Sequence, residues 1–168
     1  MTTFIPEKPS VPAVKVPYFE DITAKDVPGR WVEKPILYYQ KKIETVMAKL
    51  GAFRVVFTPG EFPGSPQRFG FQIAFVLNGI PGRIDCAALP VRSQFDTKKK
   101  DRSLAQALYL VATWLEMEAS TLIWRPGAIP LVPFLIGNGG LTVTEELVER
   151  RVLPAITPFG LLTGGNGR

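Results

Sequence analysis

Histidine is absent from the chain and Cys86 is its single cysteine. The first absence removes the usual general base near neutral pH, the usual zinc ligand and the partner that a Ser or Cys nucleophile requires. A lone cysteine excludes an internal disulfide and any multi-cysteine metal cage, and its strand-like neighbours read as those of a small core residue. A metal-dependent nuclease needs converging carboxylates, yet Asp85 is the only carboxylate set well inside a strand. The adjacent pairs Glu20 with Asp21 and Glu145 with Glu146 read as loop charge and as helix N-terminal charge. Gly137 to Gly140 lacks the Lys-Ser or Lys-Thr that follows a phosphate-cradling loop. No catalytic residue, metal or cofactor is expected, and the chain reads as a binding protein rather than an enzyme.

What remains is positive charge with aromatic residues among it. The formal net charge is +5, and its excess is central. Arg54, Arg68, Arg83, Arg92, Lys98, Lys99, Lys100 and Arg102 face only Glu61, Asp85, Asp96 and Asp101 over that span, whereas beyond Ser103 acids outnumber bases. Arginine pairs phosphates in bidentate fashion and stacks on bases, and Gln72 can hydrogen-bond base edges. Four cations in the five residues from Lys98 to Arg102 strengthen the case for an anionic, polymeric partner. Phe62, in a Pro- and Gly-rich loop, and Trp31 are the candidate stacking groups. The competing reading of the same arginines is an ordinary solvated sheet face, with Asp85 opposite Gln72 and Arg83 opposite Ala74.

These side chains need a scaffold. Ile36, Tyr39, Ile43, Val46, Met47 and Leu50 recur at helical spacing between Pro35 and Gly51. Strand signals follow over 53–58, ending at Pro59-Gly60, with a loop over 61–67. Two more strands, 68–77 and 80–89, flank Asn78-Gly79, a dipeptide suited to a type I′ turn because both its central positions need positive φ. That turn sets Leu77 opposite Ile80. Phe69, Phe71, Ile73, Phe75 and Leu77 then share a buried face with Ile80, Ile84 and Cys86. Arg68, Gly70, Gln72, Ala74, Arg83, Asp85 and Ala87 share the other, joined by Arg54 if the phenylalanines of the first strand point inward. The run Arg68 to Phe75 resembles the strand signature of an RNA-recognition motif, but this register turns its aromatics toward the core, so packing accounts for them.

A basic linker over 98–102 leads to a long apolar helix over 103–124, capped by Ser103 or Asp101 and stopped by Pro126. A short strand is expected over 131–136, then a capped helix from Thr142 to about Val152. The fold class is α+β: a small antiparallel sheet of three to four strands packed on a long central helix, with flanking helices. Residues 1–34 form a Pro-rich arm anchored by Phe4, Tyr18, Phe19 and Trp31, residues 35–157 one domain, and residues 158–168 a flexible Gly-rich tail.

A helix, three strands with interleaved arginine and aromatic residues, a basic linker and a long apolar helix, together spanning Pro35 to Trp124, resemble the layout of the thermophile single-stranded DNA-binding proteins called ThermoDBP. The resemblance implies a basic, aromatic cleft that takes single strands with little sequence preference, and a homodimer. Few Asn, no His, one Cys and abundant Pro fit a hot environment. No apolar run approaches the roughly 20 residues that span a bilayer, and residues 1–10 do not read as a signal sequence, so no membrane partner and a cytoplasmic location are expected. The expected function is non-catalytic binding of single-stranded DNA or RNA. The alternative is a structural or assembly protein, such as a virion or partner-binding component, that uses the arm and the apolar helix for subunit contacts.

Overall fold

A computed structural model describes residues 15–23, 25–29 and 32–150. Trp31, Phe4 with the rest of residues 1–14, the last expected residues of the final helix and the Gly-rich tail lie outside that set. The fold is α+β, as expected. Helix α1 (Ile36–Lys49) leads into a three-stranded antiparallel sheet of β1 (Ala52–Phe62), β2 (Arg68–Leu77) and β3 (Ile80–Ala87), in the order β1-β2-β3. Helix α2 (Thr97–Thr121) follows and runs on into a 3-10 turn at Leu122–Trp124; a second 3-10 turn at Val132–Phe134 precedes the short helix α3 (Val143–Glu149).

One core holds the layers together. Tyr39, Ile43, Val46, Met47 and Leu50 of α1 and its cap meet Phe71, Ile73, Phe75, Leu77, Ile84 and Cys86 of the sheet and Leu104, Leu108, Ala112 and Leu115 of α2. The sheet face that the hairpin register marked as apolar is the one both helices cover. At the turn, Asn78 and Gly79 have φ of 50° and 78°, and Leu77 pairs with Ile80. Glycine takes such a φ without a Cβ clash, which is why the tight turn closes there. Ile80 departs from expectation: at the hairpin end, beyond the helices, it is 45% exposed.

β1 differs from expectation in two ways. It continues through Pro59-Gly60 to Phe62, leaving only 63–67 as a loop. Proline has no N–H to give a ladder, and β1 tolerates it because it is an edge strand. Second, the register slips between Phe53 and Val56, with Arg54 at a φ of 54°. This bulge sets Phe53 opposite Val76 on the outer face, half exposed, while Phe57 beyond it packs inward opposite Ile73.

α2 starts earlier than its apolar stripe suggested. Asp96 caps it by accepting from the Lys99 backbone N–H at 3.1 Å. The Lys98–Arg102 run is therefore the start of the helix, not a linker. Ser103, well inside the helix, is buried and donates its hydroxyl to the Leu89 carbonyl at 2.7 Å. The strand expected over 131–136 is instead the 3-10 turn plus two single bridges, Gly82 to Leu135 and Ile136 to Thr142, with Leu131 at a φ of 61° breaking the extended run. α3 begins with the expected capping box between Thr142 and Glu145.

α1 and α2 lie side by side and parallel. The Tyr39 and Tyr109 rings meet edge-on at 5.8 Å, and further toward both C-termini, one turn along α1 and two along α2, Lys42 pairs with Glu116 at 3.2 Å. Three chain-reversing strands between the helices return α2 to the direction of α1. Both N-termini thus lie at one end of the molecule.

Candidate nucleic-acid interface

The outer sheet face is the first place to test for the expected cationic surface. The ladder puts Arg68, Gln72 and Arg83 on that face, with Gln72 opposite Asp85 and Ala74 opposite Arg83. The guanidinium groups, however, are engaged within the protein. Arg83 pairs with Glu145 of α3, and its Nε lies 3.5 Å from Asp85. Gln72 donates to the same Asp85 at 3.2 Å. Glu145 is held below the usual carboxylate range, first by the Thr142 backbone N–H that it accepts and also by Arg83, so it stays charged as Arg83's partner.

Arg68 is half buried, with Nε donating to the Ala88 carbonyl at 2.8 Å and Nη2 to Ala87 at 2.7 Å. It works as a clip across the end of β3. Burial pulls its pKa below the ordinary arginine value. Replacement by alanine strands two carbonyls and is expected to destabilise the fold by about 2 kcal/mol, lowering Tm by about 4–8 °C. Lysine keeps the charge but not the fork, so it should not restore the melting temperature. A thermal melt of both variants checks this, and a wild-type Tm for Arg68→Lys would show that charge alone suffices.

The remaining expected residues are dispersed. Arg54 is exposed in the bulge and takes no ladder position beside Arg68 and Arg83. Arg92, in the loop after β3, pairs with Asp21 and lies over the Tyr18 ring at 4.9 Å. It ties down the described part of the arm, where Phe19 and Ile22 bury against Val91 and the Phe19 N–H donates to Pro90 at 2.8 Å. The Phe62 ring lies over Gly70, 2.7 Å from where a Cβ would stand there, and is half buried. A pooled arginine face on the sheet is therefore not what the fold builds.

The cations that remain open to solvent converge elsewhere. Lys98 and Lys99 are exposed on the first turn of α2, and Arg102 is half exposed one turn on. Lys99 lies 3.7 Å from Asp96, and Lys100 turns back over the Phe69 ring at 3.6 Å from its centroid. Because the helices are parallel, Lys98, Asp101 and Arg102 share an open groove of about 620 Å³ with Val32–Leu37, which include the exposed Glu33 and Lys34. Tyr38, nearly half exposed, carries Lys34 over its ring, and Phe95, just before the α2 cap, is 95% exposed.

The groove carries three cations, Lys34, Lys98 and Arg102, against two exposed acids, Glu33 and Asp101. The first turn of α2 contains no acid, and neither does that of α1. Cations at a helix N-terminus oppose the macrodipole at roughly 0.3–1 kcal/mol each, and the same dipole and free N–H groups favour an anion. Lys34, Tyr38 and Phe95 were missed in the sequence. The number of strands separating the two helices was the signal that could have brought the first two to the basic run.

Little else here is reactive. Burial pushes the Cys86 thiol up to about 11, so it stays protonated. Among the described residues no cluster of three or more acidic, Cys or His side chains could hold a metal ion, and no helix is long and apolar enough to cross a membrane. Comparisons of the chain with family models, with curated proteins and with solved structures find no match.

Proposed function

We propose that the chain is a non-catalytic nucleic-acid binder of low sequence specificity, acting on single strands in the cytoplasm and gripping phosphates at the joint N-terminal end of α1 and α2. The observation that carries this reading is the convergence of Lys34, Lys98 and Arg102, which outnumber the acids Glu33 and Asp101, around one open groove at the positive ends of two helix dipoles, with Lys99 exposed on the same first turn of α2. Phe95 and Tyr38 supply exposed rings beside those cations, and base stacking on such rings is indifferent to sequence. The ThermoDBP-like layout points to the same class of ligand. The sheet face contributes rigidity rather than contacts in this reading, since its arginines serve Glu145, Asp85 and the β3 carbonyls.

Titration of a fluorescent polypyrimidine strand at several salt concentrations tests it. Binding is expected, with log K falling linearly in log salt at a slope of about −2 to −3, from roughly 0.7 per phosphate neutralised. Absence of binding, or affinity that ignores salt, would remove the proposal. An assembly role is the second reading, favoured by the exposed Trp114 and Met117, which share a face of α2.

A further inference from the structure

Part of the free edge of β3 is covered by no strand. The Ala88 N–H donates to the Phe69 carbonyl at 2.8 Å, so Gly82, Ile84 and Cys86 turn their backbone groups toward β2, and Pro81, Arg83, Asp85 and Ala87 turn theirs outward. At one end of this edge the Pro81 carbonyl accepts from the Ile136 N–H at 2.8 Å and Leu135 bridges to Gly82. At the other end Arg68 donates to the Ala87 carbonyl. Between these stops, over roughly 13 Å at about 3.3 Å per residue, the Asp85 N–H and carbonyl take no partner among the described residues. A cleft of about 310 Å³ lies beside this stretch, walled by Val27 of the arm, by Leu89, and by Ala107, Leu110 and Val111 of α2. Two polar side chains line it with capacity to spare. Arg68 uses two of its five N–H groups on carbonyls and pairs with no carboxylate among the described residues. Gln106, 2% exposed, donates from Nε2 to the Pro28 carbonyl at 3.4 Å, and its own carbonyl oxygen accepts nothing there. Asp85 also lines the cleft, but its carboxylate is engaged by Gln72 and Arg83.

We propose that this cleft binds the C-terminal end of an extended peptide whose last residue is apolar, added as a short strand beside Asp85. Three features select that occupant. A peptide backbone carries both the donor and the acceptor that the Asp85 N–H and carbonyl lack, as in strand addition to other open sheet edges. Arg68 is a half-buried cation held only by neutral carbonyls, and a chain-terminal carboxylate supplies the missing charge through the N–H groups that remain. The apolar wall takes the terminal side chain while the Gln106 carbonyl accepts a peptide N–H. Because Leu135 stops the slot at one end and Arg68 at the other, it seats a chain end and not a through-running strand. A nucleic-acid strand suits the site poorly, since one cation among aliphatic walls offers neither a run of phosphate contacts nor a ring for stacking.

Titration of the 15N-labelled full chain with an N-acetylated Ala-Ala-Ala-Val-Leu peptide, as free acid and as C-terminal amide, tests the proposal without nucleic acid. The free acid is expected to bind saturably, with Kd below about 1 mM, and to shift the Asp85 and Ala87 amide resonances. The amide, which lacks the charge that Arg68 would pair, should bind about 10-fold more weakly. Ala107→Met fills the cleft and should weaken the free acid by a similar factor, with a thermal melt to confirm folding; if that variant does not fold, acid against amide on the unsubstituted protein decides the matter. Alanine at Lys98, Lys99 and Arg102 together should leave peptide affinity unchanged, so failure here and failure of the nucleic-acid reading are told apart. Unmoved Asp85 and Ala87 resonances, or equal affinity for acid and amide, would overturn the proposal. So would hexanoate binding as tightly as the peptide, or a polypyrimidine strand displacing it.

Discussion

Replacing Lys98, Lys99 and Arg102 together by alanine is expected to weaken binding of a polypyrimidine strand by about 100-fold at 0.1 M salt. The figure follows from counterion release: three phosphate contacts at about 0.7 each contribute roughly two logarithmic units at that concentration. The salt slope should fall by about 2 in the same experiment, which separates lost phosphate contacts from lost folding. Stability should not fall, and removal of cations from the first turns of α2 should raise it slightly, because the macrodipole opposes them there. Arg83→Ala is the internal control. It breaks the pairing with Glu145 and Asp85 and should lower Tm while leaving affinity per folded molecule unchanged. If Arg83→Ala abolishes binding and the triple variant does not, the interface lies on the sheet after all.

The second large effect concerns the core. Phe75 is 2% exposed and sits opposite Gly82 in the β2–β3 ladder, with its ring lying where a Gly82 side chain would be; two of its ring carbons stand 2.5 and 2.8 Å from the Cβ position. Phe75→Ala should cost about 3–5 kcal/mol and lower Tm by roughly 6–20 °C on the scale for a chain of this size. Gly82→Ala should cost about 3 kcal/mol, because a buried ring enclosed by both helices cannot swing away. The two are coupled: in a Phe75→Leu background the added methyl has room, and Gly82→Ala should cost about 1–2 kcal/mol less than it does alone. Chemical denaturation of the four proteins gives the cycle. Full additivity would mean that the ring and the glycine do not share that space.

How far the sequence led depended on whether a feature was local. The α1 stripe from Tyr39 to Leu50, the Asn78-Gly79 turn and the buried face from Phe71 to Leu77 each follow from periodicity or from a two-residue turn rule, and the structure has all three. The bulge was not legible, since Arg54 occupies a left-handed position usually marked by glycine. The extension of β1 through Pro59-Gly60 was hidden because those residues end central strands, and only the sheet order shows that β1 lies at an edge. The start of α2 was misplaced because cations are poor company for a helix N-terminus; the signal was Asp96, three residues before the Lys99 N–H that it caps.

The site was the least legible part. Arg83's fate was set by Glu145, 62 residues away in sequence, and Arg68's by carbonyls whose position depends on how β3 ends. Charge counting singled out Lys98 to Arg102 but could not show that arginines on the sheet were already engaged. Nor could it foresee that Lys34 would join the lysines of α2 across a groove.

The parallel setting of α1 and α2 makes the basic end a matter of parity. An even number of strands between the helices would send α2 the opposite way and carry Lys98, Lys99 and Arg102 to the far pole of the molecule, although not one of those residues had changed. Insertions in the hairpin loops should thus be harmless to the site as long as they add no strand, and a duplication or loss of a single strand would dismantle it.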